Sequence, residues 1–405
     1  MFKYFILIGC LIVSCRDPDS SGSHNLKGRP GKPISKVLFD TIKFKIPLIK
    51  FGNTNALKIP NTAQFSGREA FSISNFNDQT VHVFDFKARS HMLSIQLYTE
   101  GPNTTISGKY GFYHQLLPDQ TVLILDPLTK RLSRVDIRGI RLESNTIPPD
   151  PDFEYLAVVD WSIQGALHDN EFFYPVIPGG FMPLTIQDPQ LGRLKHLFRY
   201  RLGEGFRPMW IDRNNYYTHE RFYNLDECCM TNFINLLKDD LVISDCESPF
   251  VRVYDSMTGQ LKDSFEMKSR EFDQVPAYDQ VISAADYQHM PANLYRTIVE
   301  FGHTHPSYYQ LHVDTAHHLI IRQAKLGMTD EEYMDNRFYW SHSFILADAD
   351  NYEYRGEAIV RRGDFKDDVS FLNGVMTSEG LYFPFFDPQG MEEDYLCFLR
   401  ARFVE

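Results

Sequence analysis

The plainest pattern in the chain is a short alternation of apolar and polar residues that ends on an aspartate and then resumes. In residues 248–267, SPFVRVYDSMTGQLKDSFEM, Val251 and Val253 alternate with Arg252 and Tyr254, the period-two signature of a half-buried strand. Asp255 opens a tight turn because its short carboxylate can accept hydrogen bonds from amides ahead of it, and Gly259 supplies the positive φ such a turn needs. Leu261 and Phe265 then restart the alternation on a returning strand. The unit recurs. Val81-His82-Val83-Phe84-Asp85 repeats the character of residues 251–255, and Leu123-Ile124-Leu125-Asp126 is followed by Thr129 and Leu132 at the spacing of Thr258 and Leu261 beyond Asp255.

Other strands follow from the same alternation. Ile42, Phe44 and Ile46 alternate with Thr41, Lys43 and Lys45, and further runs occupy 155–159, 171–176, 197–200 and 241–244. Residues 308–313 return as 319–324, residues 343–346 return as 354–360, and 381–386 pairs with 395–403. A polar stretch at 268–288 reads as helical or irregular, and no long 3.6-period segment competes with the strands. Anchors at Asp85, Asp126, Asp255, Asp314, Asp348 and Asp387 are spaced like propeller blades of ~40–50 residues, with room for one more blade between Asp126 and Asp255. Asp314 and Asp348 fit two hairpins of one four-stranded blade. The expected fold is an all-β propeller of six blades, with seven as the alternative, and the segment 34–50 is expected to join the last blade and close the ring.

The N-terminus adds a location. Lys3 precedes an apolar run at 5–13 that is too short for a bilayer needing ~20 residues, which marks a signal peptide. Ile12-Val13-Ser14-Cys15 resembles the lipobox of bacterial lipoproteins, which implies acylation of Cys15; Leu7-Ile8-Gly9-Cys10 also fits, but would leave a hydrophobic region of barely four residues. Residues 1–15 are thus read as signal and lipidation site, 16–36 as a polar tether, and 37–405 as the propeller. With the tether and the units YYQLHVDTAHHLIIRQAKL and SHSFILADADNYEYRGEAIV, the chain resembles a family of Bacteroidetes lipoproteins of similar length, a domain of unknown function related to six-bladed propellers. That resemblance implies a fold and a lipid anchor in the cell envelope, on the periplasmic or outer-membrane side, and no activity.

Charge removes one class of partner. A net charge of −12 leaves no basic stripe with which to displace counterions from duplex nucleic acid. No nucleophile elbow, phosphate-cradling loop or dinucleotide fingerprint is present, and no cofactor is expected. His303 and His305 would point to one side of an extended segment and are weak metal candidates that need a third ligand; His312 lies on a strand, and His317-His318 in a turn. Asp348-Ala349-Asp350-Asn351-Tyr352-Glu353 looks like a calcium loop but lacks its Gly and bidentate Glu, so a hairpin turn explains it. Cys246 could pair with Cys228 or Cys229, closing a loop of about 18 residues worth ~3 kcal/mol; buried thiols are the alternative, as for Cys397.

Two aromatic segments, 172–183 and 216–223, depart furthest from the repeat. Placed on a rigid scaffold, Phe181, Tyr216, Tyr217 and Arg221 would serve as ligand contacts for an envelope protein or a glycan. The chain is therefore expected to be a lipid-anchored binding or interaction module. The competing expectation is a metal-assisted hydrolase whose ligands converge on the central channel from several blades without a linear motif.

Overall fold

The computed structural model describes residues 34–45, 62–108, 111–126, 128–147, 155–156, 165–175, 177–178, 197–208, 222–223, 233–246, 248–278, 291–334, 340–364, 368–369, 371, 374–386 and 395–404. Antiparallel strands dominate them and pair into the six sheets of a six-bladed β-propeller. Blades 1 to 5 occupy 63–96, 113–146, 166–208, 233–266 and 307–360, and blade 6 combines 375–404 with the N-terminal strand Lys36–Lys45. Asp314 and Asp348 do belong to one blade, and blade 3 fills the interval between Asp126 and Asp255.

Six apolar clusters hold the ring, one at each seam between blades. Val81, Val83 and Ile95 of blade 1 meet Leu116, Val122 and Ile124 of blade 2, whose Leu123, Leu125 and Leu132 meet Phe172, Tyr174 and Tyr200 of blade 3. Ala166 and Phe173 face Ile234 and Ile243 of blade 4; Val251, Val253 and Phe265 face Tyr308, Leu311 and Val313 of blade 5; Ile321, Phe344 and Leu346 face Leu381 and Phe383 of blade 6. Because a blade is covered on both sides, its middle strands are buried throughout, as in Leu319–Lys325 and His342–Asp348. Each fully buried Phe or Leu side chain contributes ~1.5–3 kcal/mol to this packing.

The last seam closes the ring. Lys36–Lys45 runs antiparallel to Tyr395–Val404 along its whole length, and Lys45 makes a parallel contact with Ser90 of blade 1. Phe44 is fully buried there, with ring centroids 5.0 Å from Phe71 and 5.3 Å from Phe398, while Asp40 is clamped by Arg400 at 2.9 Å and Arg402 at 2.8 Å. Of the closing segment expected at 34–50, Lys36–Lys45 is this strand and 46–50 lie outside the described residues; the Ile34 amide donates to Arg355 O.

First strands of neighbouring blades touch one another, 166–168 with 233–237, 233–237 with 307–314 and 307–314 with 375–377, so they line the axis. Gly67, Gln79 and Arg89 of blade 1 and, at the same spacing, Gly108, Gln120 and Lys130 all have φ between 52° and 75°. By that register, the four paired strands of blade 2 match the last three of blade 1, with Arg141–Thr146 added at the rim.

Antiparallel pairing gives the propeller two unlike ends. The turns joining first to second and third to fourth strands, such as 66–67, 86–89, 169–170, 238–239, 256–260 and 349–353, are short and share one end, the turn face. Links from second to third strands and most links from blade to blade have both flanking strands ending at the other end, the loop face; 97–112 and 147–165, which flank blade 2, instead run between the two ends. Apart from 76–79, 117–121, 136–140 and 245–249 the loop-face links are long: 46–62, 176–196, 209–232, 267–306, 326–341, 361–374 and 387–394.

Candidate functional site

On the turn face the repeated aspartates do what their position suggests. Asp85 accepts from the Ala88 amide at 2.7 Å, Asp126 from Leu128 at 3.0 Å, Asp314 from His317 at 3.0 Å and Asp348 from Asp350 at 3.0 Å. The calcium-like stretch is accordingly a hairpin turn. Asp255 accepts from the Thr258 amide at 2.7 Å and the Thr258 hydroxyl at 2.8 Å; with Lys262 adding to these bonds, they hold its carboxyl down to about 2. Neighbouring turns are tied together, Lys238 to Asp350 at 3.1 Å and the Ser378 amide to Glu69 at 2.6 Å. At this end the repeated aspartates are engaged by the backbone amides of their own turns.

The loop face carries added structure. Tyr155–Leu156 pairs with Ile177–Pro178, and Phe222–Tyr223 with Ala277–Tyr278, so segments from different links join in two small antiparallel sheets. A helix, Ala292–Thr304, follows Pro291, whose fixed φ suits a helix start, and turns Leu294, Ile298 and Phe301 to one side, with Ile298 buried. Its C-terminal end is fastened to blade 5. Lys325, itself buried, donates to Gly302 O at 2.7 Å, placing a cation where the helix dipole is negative, and lies 5.0 Å from the Trp340 ring. The His303 carbonyl accepts from the Met328 amide at 3.1 Å, and Gly327 permits the approach, since a Cβ there would lie 2.0 Å from Thr304 O. In the same link Thr329 and Glu332 cap the short helix Asp330–Met334 reciprocally, at 2.8 and 3.2 Å.

This helix corrects the expectation for His303 and His305. They do not lie on an extended segment: His303 is in the last helical turn and stacks on Trp340 at 5.1 Å, whereas His305 follows the helix, stacks on Phe301 at 3.9 Å and uses Nδ1 toward Phe301 O. With His303 in the helix and His305 in extended backbone beyond it, the two rings serve separate packing contacts. Among the described residues no set of three or more His, Cys, Asp or Glu side chains is placed to hold a metal. The sequence reading missed this helix, whose signal was the spacing of Leu294, Ile298 and Phe301.

Beneath the loop face, buried polar side chains bridge the seams. Arg322, fully buried in the strand LIIRQAK, donates to Met267 O at 3.1 Å, Asp245 O at 2.7 Å and Ser248 O at 2.5 Å, and its guanidinium lies 3.6 Å from the Tyr308 ring centroid. Burial lowers it to about 10, still charged at neutral pH. Glu357 accepts from Ser269 at 2.6 Å, from the Arg270 amide at 2.8 Å and from Ser343. At the next seam Gln323 donates to Phe371 O and approaches His342, both at 3.0 Å, and Gln310 accepts from the Gly374 amide at 3.2 Å while meeting His312 at 3.1 Å. Desolvation pushes His114, His312 and His342 down to about 3, keeping the rings neutral. Arg322, Glu357, Gln323 and Gln310 are thus fasteners between blades.

Cys15, Phe181, Tyr216, Tyr217 and Arg221 lie outside the described residues, as do Cys228 and Cys229; Cys246 and Cys397 are buried. The start of the first aromatic segment is core, with Phe172, Phe173 and Tyr174 fully buried in a strand of blade 3. The strands that flank the remaining candidates end at the loop face: Phe181 belongs to the link 176–196, and Tyr216, Tyr217 and Arg221 to the link 209–232.

Comparison with solved structures returns the same fold. A DUF4221-family protein from Bacteroides vulgatus superposes with a TM-score of 0.64 at 16 % identity, covering 92 % of this chain and 99 % of its own. A Bacteroides fragilis protein whose name marks it as inferred to be exported gives 0.53 at 10 % identity, covering 94 % and 98 %. No sequence profile of a known family matches the chain, and no curated protein does. Among the described residues no helix is long and apolar enough to cross a membrane.

Proposed function

We propose that the protein is an extracytoplasmic binding or interaction module, tethered to a membrane through acylated Cys15, that receives a protein or glycan of the cell envelope on its loop face. The observation that supports this most is the asymmetry of the two ends. Short turns with engaged carboxylates close one end, while the other carries most of the long links together with its own helices and small sheets. Insertions gather where side chains can be added without disturbing the blades, the usual setting for recognition. In this reading Phe181, Tyr216, Tyr217 and Arg221 supply contacts, since aromatic and Arg side chains dominate interface energies. The hydrolase reading has no convergent ligand set among the described residues to support it.

The experiment is a pull-down of the intact lipoprotein from its native envelope, followed by Tyr217→Ala and Arg221→Ala. Each substitution is expected to weaken capture by more than ~1 kcal/mol, about fivefold or more, without moving the melting temperature. Capture that survives both substitutions refutes the assignment. For the anchor, Cys15→Ala is expected to move the protein into the soluble fraction, because it removes acyl chains that contribute ~0.8 kcal/mol per buried methylene.

A further inference from the structure

The strand that closes the ring is held by three blades, not one. Along its length Lys36–Lys45 pairs with Tyr395–Val404 of blade 6. Its far end reaches blade 1, where Lys45 meets Ser90, the first residue of that blade's fourth strand. Its near end reaches blade 5: the Ile34 amide donates to Arg355 O at 2.8 Å and the Glu357 amide donates to Ile34 O at 3.1 Å, a parallel bridge across Gly356 in that blade's fourth strand. Among the described residues the other rim strands, Arg141–Thr146, Gly205–Pro208 and Leu261–Glu266, pair only with the strand before them.

Blade 5 is shaped to receive Ile34. Leu346 pairs with Gly356 but Ala347 with Tyr354, so Arg355 is an extra residue in its strand, and such a bulge bends the chain and takes a residue out of the ladder. Arg355 O is the group that accepts from the Ile34 amide, while the Arg355 side chain is drawn to Asp348 at 3.1 Å. Gly356 has φ of 143°, and a Cβ there would lie 1.9 Å from Ile34 O, so glycine is what lets the two backbones approach. The Ile34 side chain is buried with Leu319, Leu346 and Ala358 in the seam between blades 5 and 6. Bulges and twists usually keep a rim strand from pairing further, yet here the bulge supplies the acceptor.

We propose that residues 34–45 are a strap across three blades and that Ile34, seated on Gly356, is its latch, the contact that must break before the ring can open. The asymmetry of the strap follows from connectivity. Its Lys45 end continues through the link 46–62 into blade 1, whereas its Ile34 end leads back toward Cys15. On the reading of Cys15 as the anchor, any pull from the membrane enters the propeller at the latch.

The test is amide hydrogen exchange of the full-length protein in detergent, read by mass spectrometry, since exchange under native conditions reports local opening. Ile34→Pro removes the amide that Arg355 O accepts and leaves blade 5 untouched, whereas Gly356→Ala drives Ile34 off the bulge. Each is expected to speed exchange throughout Lys36–Lys45 by about tenfold or more, the effect of losing one or two hydrogen bonds and the seating of Ile34, with Val122–Asp126 and Asp240–Ser244 of blades 2 and 4 unchanged. Repeating the comparison in a Cys15→Ala background separates the latch from the anchor, because a failed anchor reading leaves the exchange result standing. Exchange over Lys36–Lys45 that stays at the parent's rate in Ile34→Pro, or that rises equally in all six blades, overturns the proposal.

Discussion

The two ends of the propeller are built from the same hairpins, yet they obey different rules. On the turn face each link must reverse the chain within a few residues, so an Asp that accepts amides two or three positions ahead recurs at Asp85, Asp126, Asp255, Asp314 and Asp348. On the loop face a link only has to span from one strand or blade to the next, and the cost of extra length grows slowly. The comparison teaches that repetition marks what the fold needs, whereas departure from it marks what can be given to recognition.

The sharpest way to test the scaffold side is to open the ring. Deleting residues 34–45 strips Tyr395–Val404 of its partner along its whole length and removes Phe44 from the closing seam. Thermal unfolding followed by circular dichroism is expected to shift down by more than about 10 °C or lose cooperativity. An unchanged transition would show that five intact seams suffice.

Next in size is Arg322→Ala. It leaves three buried carbonyls without a donor and a void against Tyr308, and should cost ~3–5 kcal/mol in denaturant unfolding. Arg322→Met, which keeps the volume, should lose less. Equal losses would mean that packing, and not the guanidinium, joins blades 4 and 5.

Acid should separate the interior from the turn face. His114, His312 and His342 sit near 3 in the folded protein against about 6.5 unfolded, so the unfolded chain binds protons first as pH falls. Their contribution is complete above pH 6.5 and is lost progressively below it. Asp255, depressed from 3.8 to about 2, contributes above pH 4 and loses its contribution only as pH falls toward 2. Stability measured against pH should therefore begin to decline near 6.5, well before the carboxylates titrate; a plateau down to pH 4 would contradict the buried neutral rings.

A smaller effect is expected at a single turn. Asp126→Ala removes an acceptor from the Leu128 and Thr129 amides and should cost ~1–2 kcal/mol. Asp126→Asn, which keeps an acceptor oxygen, should restore most of it.

The difference between the ends also decides what could be read from the chain. The aspartate turns were legible because their hydrogen bonds close within three residues, and the closing strand because Ile42 and Phe44 alternate with charged neighbours. Arg322 was not: its acceptors belong to another blade, and nothing local distinguishes it from a surface arginine. The helix Ala292–Thr304 was missed because its apolar stripe is narrow and embedded in a polar link. His303 and His305 were assigned to a strand for the same reason. The proposed contacts Tyr217 and Arg221 stood out only as breaks in the repeat, since residues of long links carry no fixed spacing.

The central claim, that recognition belongs to the loop face, is tested most directly by one paired binding measurement. With the partner captured from the envelope, affinity is compared for Tyr217→Ala and Arg221→Ala on loop-face links and for Lys238→Ala and Asp350→Ala on the turn face, where the two side chains pair at 3.1 Å. The account predicts a loss of about fivefold or more for each loop-face substitution and unchanged binding for the turn-face pair. Weaker binding from the turn-face variants, with the loop-face variants unaffected, would contradict it.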